Sequence, residues 1–107
     1  METALEVDVT EAARLLQQPG TILLDVREPH EWEICLVPGS RTIPMGQIPA
    51  RLEELPRDQP ILVLCHHGSR SRRVTLFLRA NNYPLATNVA GGIDAWAEIL
   101  APDLPRY

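Results

Sequence analysis

The sequence predicts an α/β fold in which a parallel sheet is covered by helices on both faces. Three observations lead there. Short runs of consecutive apolar residues, at 21–26 and 61–64, fit strands buried on both faces rather than the alternating pattern of half-exposed ones. Stretches with helical spacing of apolar residues separate these runs. Ten prolines punctuate the chain so regularly that every element should be short. With 107 residues, 45% of them apolar and 22% charged, the chain has the size and composition of one globular domain spanning residues 1–107. That length buries a core without help from a disulfide or a structural metal.

Asp8-Val9-Thr10-Glu11 has the spacing of a capping box ahead of Ala12, Ala13, Leu15 and Leu16, which share a helical face, and Pro19-Gly20 ends that helix. Residues 21–26 are the first buried strand. Residues 29–34 make a short helix with Pro29 in its first turn, and Pro38-Gly39 turns the chain into a small strand at 41–43. A helix is expected over 47–54. The second continuous apolar strand, 61–64, ends on Cys65. A helix follows over 70–81 with Val74, Phe77 and Leu78 inward, closing at Asn82, a residue that tolerates the left-handed conformation. Residues 86–89 form the last strand and 93–100 the last helix.

A net charge of −4 argues against a nucleic-acid partner, because backbone binding rests on many Lys and Arg contacts. No apolar run is long enough to span a membrane. The acidic start of the chain, with Glu2, Glu6 and Asp8, lacks the pattern of a signal peptide, so the expected location is the cytoplasm. In that reducing compartment Cys35 and Cys65 are expected as free thiols. Cys35, following Trp32 and Ile34, reads as a packing residue.

Ligands of open parallel sheets sit beyond the carboxyl ends of the strands, and Cys65 is placed there. The segment Cys65-His66-His67-Gly68-Ser69-Arg70-Ser71 joins a buried strand to a helix. Its small residues let backbone N–H groups converge on one point, and the helix that follows adds the positive end of its dipole. Such a cradle holds an anion. Around a thiol the same field favours thiolate, reinforced by His66, His67, Arg70, Arg72 and Arg73, so Cys65 is the candidate nucleophile.

Three stretches carry a family resemblance. Leu24-Asp25-Val26-Arg27-Glu28-Pro29 with Glu31, followed by Pro38-Gly39-Ser40 and Ile43-Pro44, resembles the N-terminal signature of rhodanese domains. The loop Cys65 to Ser71 is similar to the active-site loop of the single-domain thiosulfate sulfurtransferases in that family, and residues 89–96, Val-Ala-Gly-Gly-Ile-Asp-Ala-Trp, to its C-terminal signature. The resemblance implies a five-stranded parallel sheet and a cysteine that cycles between thiolate and persulfide, with no cofactor and no metal. Cys65 would take sulfane sulfur from a small anionic donor such as thiosulfate and pass it to cyanide, a thiol or a sulfur-relay protein. The main-chain N–H groups of His66, His67, Gly68, Ser69, Arg70 and Ser71 would hold the persulfide, and Arg70 would grip the donor. His67 would tune the field, whereas Asp25 and Arg27 would pair as structural support for the loop after their strand. Gly91 and Gly92 fit a tight turn and Trp96 the core. Cys35-Leu36-Val37 stands where the family usually has Gly-His-Ile, a departure that bears on partner contacts rather than on the sulfur chemistry.

Two other readings compete. Cysteine phosphatases of the same fold, with the arsenate reductases related to them, place arginine six positions after cysteine; here Arg70 is fifth and Ser71 sixth, which favours sulfur over a tetrahedral phosphate. A carrier or sensing module would hold the same persulfide with little free turnover.

Overall fold

In the computed structural model, which describes residues 4–107, a five-stranded sheet has all its neighbouring strands parallel. In chain order the elements are β1 (Glu6–Val7), α1 (Val9–Leu16), β2 (Ile22–Asp25), α2 (Pro29–Ile34), β3 (Arg41–Thr42), two 3-10 turns (Met45–Gln47 and Leu52–Glu54), β4 (Ile61–Leu64), α3 (Ser69–Ala80), β5 (Ala86–Val89) and α4 (Gly92–Ile99). The strand order is β1-β5-β4-β2-β3, so β4 lies at the centre, in register with β2 from Ile22↔Ile61 to Asp25↔Leu64. All four residues of β4 are buried, and they alternate between two cores. Ile61 and Val63 face one layer with Val74, Leu78, Tyr83, Ile48 and Leu55; Leu62 and Leu64 face the other with Val9, Ala12, Ile93 and Trp96. This is why the strand reads as continuously apolar, as a strand between two helical layers must. No helix among the described residues is long and apolar enough to cross a membrane.

Local signals place the ends of several elements. The Asp8 carboxylate accepts from the Glu11 N–H and caps α1. Glu28 and Glu31 form a reciprocal capping box on α2, with Pro29 in the first turn. Asn82 takes φ +70° after α3.

The structure corrects the sequence reading in three places. The edge strand β1 escaped it, because two residues, one of them an exposed glutamate, carry no periodicity. The helix expected over 47–54 is instead a pair of 3-10 turns: the Tyr83 hydroxyl lies 2.6 Å from the Leu52 carbonyl and 3.0 Å from that of Leu55, and Pro56 holds Leu55 extended. Phe77 is not inward. Ser71, Val74, Thr75 and Leu78 form the buried stripe of α3, and Phe77 flanks it on an open depression with Met45, Ile48 and Pro49.

The turn from β5 into α4 brings backbone against backbone. Gly91 and Gly92 have φ of +85° and +62°, and a Cβ on Gly92 would stand 2.3 Å from the His66 carbonyl oxygen and 2.5 Å from that of Cys65. Gly92→Ala is expected to cost about 2–4 kcal/mol and to push α4 off the 65–66 segment. Urea unfolding checks the first effect, and amide exchange at Ile93 and Asp94 the second.

Candidate active site

β4 delivers Cys65 to the carboxyl end of the central strand, where its side chain is wholly buried. Gly68 then turns left-handed, with φ +109°, and serves as N-cap of α3, so the positive end of that helix faces the sulfur. The Gly68 N–H donates to Cys65 Sγ at 3.1 Å, and the Ser71 hydroxyl lies 3.2 Å from it. That hydroxyl has one proton and a second acceptor, Asn88 Oδ1 at 2.5 Å. With Cys65 as a thiol, S–H donates to Ser71 and Ser71 to Asn88; with a thiolate, the hydroxyl turns to the sulfur. Asn88 in turn donates to the Gly68 carbonyl at 3.2 Å and to Glu6 on β1 at 3.1 Å, fixing the loop to the sheet.

A second helix shapes the loop from behind. The first-turn N–H groups of Ile93 and Asp94 on α4 donate to the carbonyls of Cys65 and His66, at 2.8 and 3.1 Å. Across a trans peptide the N–H points opposite to the carbonyl, so the amides of His66 and His67 face away from α4. The sequence-predicted loop residues therefore part company. Gly68 and Ser71 meet the sulfur, Ser69 opens α3 on the surface, and His67 is exposed, 3.9 Å from Asp94. His66 stacks on Tyr107 with ring centroids 3.8 Å apart, and its Nε2 donates to the Tyr107 main-chain oxygen at 2.8 Å.

Arg70 departs most from its expected place. Its guanidinium forms a bidentate pair with Glu31 at 2.6 and 2.9 Å, which raises the arginine's already high pKa and holds the carboxyl far below the usual carboxylate range. Glu31 also accepts from the Tyr107 hydroxyl at 2.6 Å and from the Glu28 N–H at 3.1 Å. Behind it the Asp25–Arg27 pair, 2.7 Å apart, is fully buried. Arg27 further donates to the Glu31 and Cys35 carbonyls at 3.2 and 2.9 Å and to the Tyr107 hydroxyl at 2.9 Å. Cys35 is buried and, like Cys65, a free thiol.

The sequence itself matches the family model of the rhodanese-like domain over residues 8–99. The chain belongs to the rhodanese-like domain family. It is 34% identical to a sulfurtransferase of Allochromatium vinosum over 84% of this chain and 88% of that one. It is also 27% identical to the thiosulfate sulfurtransferase GlpE of Tolumonas auensis, over 92% and 93%. Among solved structures, the reduced CoADR-RHD of Bacillus anthracis superposes with a TM-score of 0.84 at 32% identity, over 94% of this chain and 18% of that larger one. The family is one of sulfurtransferases, and the rhodanese fold expected from the three signatures is the fold present.

Three side chains of the rhodanese site carried no role in the sequence reading. Asn88 had a signal, since an asparagine within a buried strand demands partners. Glu31 was part of a signature, but nothing local pointed it at Arg70. Tyr107 gave no signal at all.

Two outcomes test this network. Asp25→Asn leaves the Arg27 charge buried without its counter-ion, and is expected to lower stability by about 3–5 kcal/mol in urea unfolding. The second concerns Tyr107, whose hydroxyl is pushed up to about 12, first by burial and then by its bond to Glu31. A raised pKa contributes stability that is complete below the ordinary value of 10 and is lost as pH climbs toward the folded one. All ten basic side chains are arginine, so no lysine titrates in that window. Melting temperature should fall between pH 10 and about 12, with a smaller fall in Tyr107→Phe, while tyrosinate absorbance shows late ionisation that the variant loses.

Proposed function

We propose that this chain transfers sulfane sulfur through a persulfide on Cys65. The observation that carries the reading is the sulfur's setting: Sγ at the end of the central strand, facing the N-terminus of α3, with the Gly68 N–H and the Ser71 hydroxyl directed at it. Donors aimed at one sulfur stabilise negative charge on it and on the outer sulfur of a persulfide.

With thiosulfate as donor, the Cys65 thiolate attacks the outer sulfur, the S–S bond breaks, and sulfite leaves with the bonding pair. The new terminal sulfur carries one negative charge, which the loop amides and the helix dipole offset. An acceptor nucleophile, cyanide or a thiol, then attacks that sulfur and returns Cys65 as thiolate. Ser71 serves both halves of the cycle, because its hydroxyl donates to Asn88 when the sulfur is protonated and to the sulfur when it is charged. Asp25 and Arg27 hold the scaffold and touch neither donor nor acceptor. Ser71 at the sixth position, where the phosphatases of this fold carry arginine, supports sulfur chemistry over phosphoryl transfer. Two buried free thiols fit a reducing cytoplasm.

The test is the mass of the intact protein after incubation with thiosulfate or polysulfide, before and after cyanide. The native chain should gain one sulfur and lose it to cyanide, and Cys65→Ser should gain none. Sulfur retained on cyanide treatment would mark a carrier that discharges only to its own protein partner. Loading of the Cys65→Ser variant would remove Cys65 from the role.

A further inference from the structure

Arg70 is the arginine within the Cys65–Ser71 loop, in the first turn of α3, and the cation on which a sulfonate-bearing donor would rely. Its fork is taken. Both terminal nitrogens face the Glu31 carboxylate, and that carboxylate is seated rather than swinging: its side chain is 9% exposed, and it is bonded at the same time to the Tyr107 hydroxyl and the Glu28 N–H. Tyr107 is itself held by Arg27, 2.9 Å from its hydroxyl, and by the stack on His66. Asp25, Arg27, Glu31 and Arg70 form one connected cluster whose two positive and two negative charges cancel.

A thiosulfate dianion approaching Arg70 meets the Glu31 carboxylate at the same fork. To displace it would strand a nearly buried carboxylate with two weaker donors, a cost that a small, well-hydrated anion does not recover. A thiol persulfide makes no such demand, because its outer sulfur needs only the amide cradle around Cys65.

We infer that Glu31, seated by Tyr107, is the residue that sets donor specificity, withholding Arg70 from sulfonate-bearing donors and fitting the site to thiol persulfides. This rests on the sulfurtransferase reading above. In the step it favours, the Cys65 thiolate attacks the outer sulfur of R–S–SH and the S–S bond breaks. R–S⁻ leaves with the bonding pair, and the proton stays on the transferred sulfur, giving Cys65–S–SH without any further reactant.

The experiment compares kcat/KM for glutathione persulfide and for thiosulfate. The native chain should favour the persulfide by about tenfold or more. Glu31→Gln keeps the shape of the side chain and removes its charge; it should raise the thiosulfate-to-persulfide ratio by about tenfold, through a lower KM for thiosulfate, and adding Arg70→Gln should cancel that gain. Tyr107→Phe, which keeps the stack on His66 and removes the hydroxyl that donates to Glu31 and accepts from Arg27, should raise the ratio by about threefold, and it decides the matter if Glu31→Gln does not fold. A native chain that favours thiosulfate would overturn the inference, as would an unchanged ratio in the folded variants. If neither donor loads sulfur on the native Cys65, the sulfurtransferase reading falls, and this one with it; loading with no change in ratio removes only the role of Glu31.

Discussion

Arg27 is a guanidinium with no contact to water, and the carboxyl edge of the sheet is organised around satisfying it. Each of its nitrogens finds acceptors that lie far apart in the chain: the Asp25 carboxylate at the end of β2, main-chain oxygens of Glu31 and Cys35 in and after α2, and the hydroxyl of Tyr107. A buried cation without such partners is among the most expensive features a small domain can hold. The requirement therefore works as a constraint on geometry. It sets the exit of β2, the seat of α2 and the position of Tyr107 together, and through Glu31 it reaches Arg70 on α3, the helix that faces Cys65.

The sulfur site is made by two helix N-termini that meet the same short loop in different ways. α3 begins within it, and turns its amide end toward Cys65 from a left-handed Gly68. α4 grips its outer side, taking the carbonyls of Cys65 and His66 with the N–H groups of its first turn. Gly92 makes this approach possible, because a Cβ would occupy the space of both carbonyl oxygens. The carbonyls of Cys65 and His66 are thus taken up behind the loop, the amides of His66 and His67 face away from α4 and the Gly68 N–H reaches Sγ, so a chain with an overall negative charge turns backbone donors toward Cys65.

Much of this fold is legible in one dimension because the strongest forces on it are local and periodic. β4 reads as a continuous apolar run since both its faces are covered, and the Asp8 cap, the α2 start at Pro29 and the left-handed Asn82 are each decided by backbone chemistry within four residues. Where a distant side chain intervenes, legibility ends. Tyr83 reaches across to the Leu52 and Leu55 carbonyls, and a segment with helical apolar spacing becomes two tight turns. β1 exists only by pairing with β5, Glu6 against Asn88 and Val7 against Val89, a register that two residues cannot announce.

The sequence by itself determined the sheet of parallel strands, the family, and Cys65 as the residue at the end of a buried strand, because apolar period, turn residues and signature spacing are all written in neighbouring positions. Only the tertiary structure decided what the loop's charged and aromatic side chains do. Arg70 reads as a free guanidinium until Glu31, 39 positions earlier, is folded against it, and Tyr107 reads as a tail residue until it lies against Arg27, 80 positions away. Local pattern fixes where a backbone goes; the partner of a long polar side chain is chosen by which buried charges must be satisfied once the layers have closed.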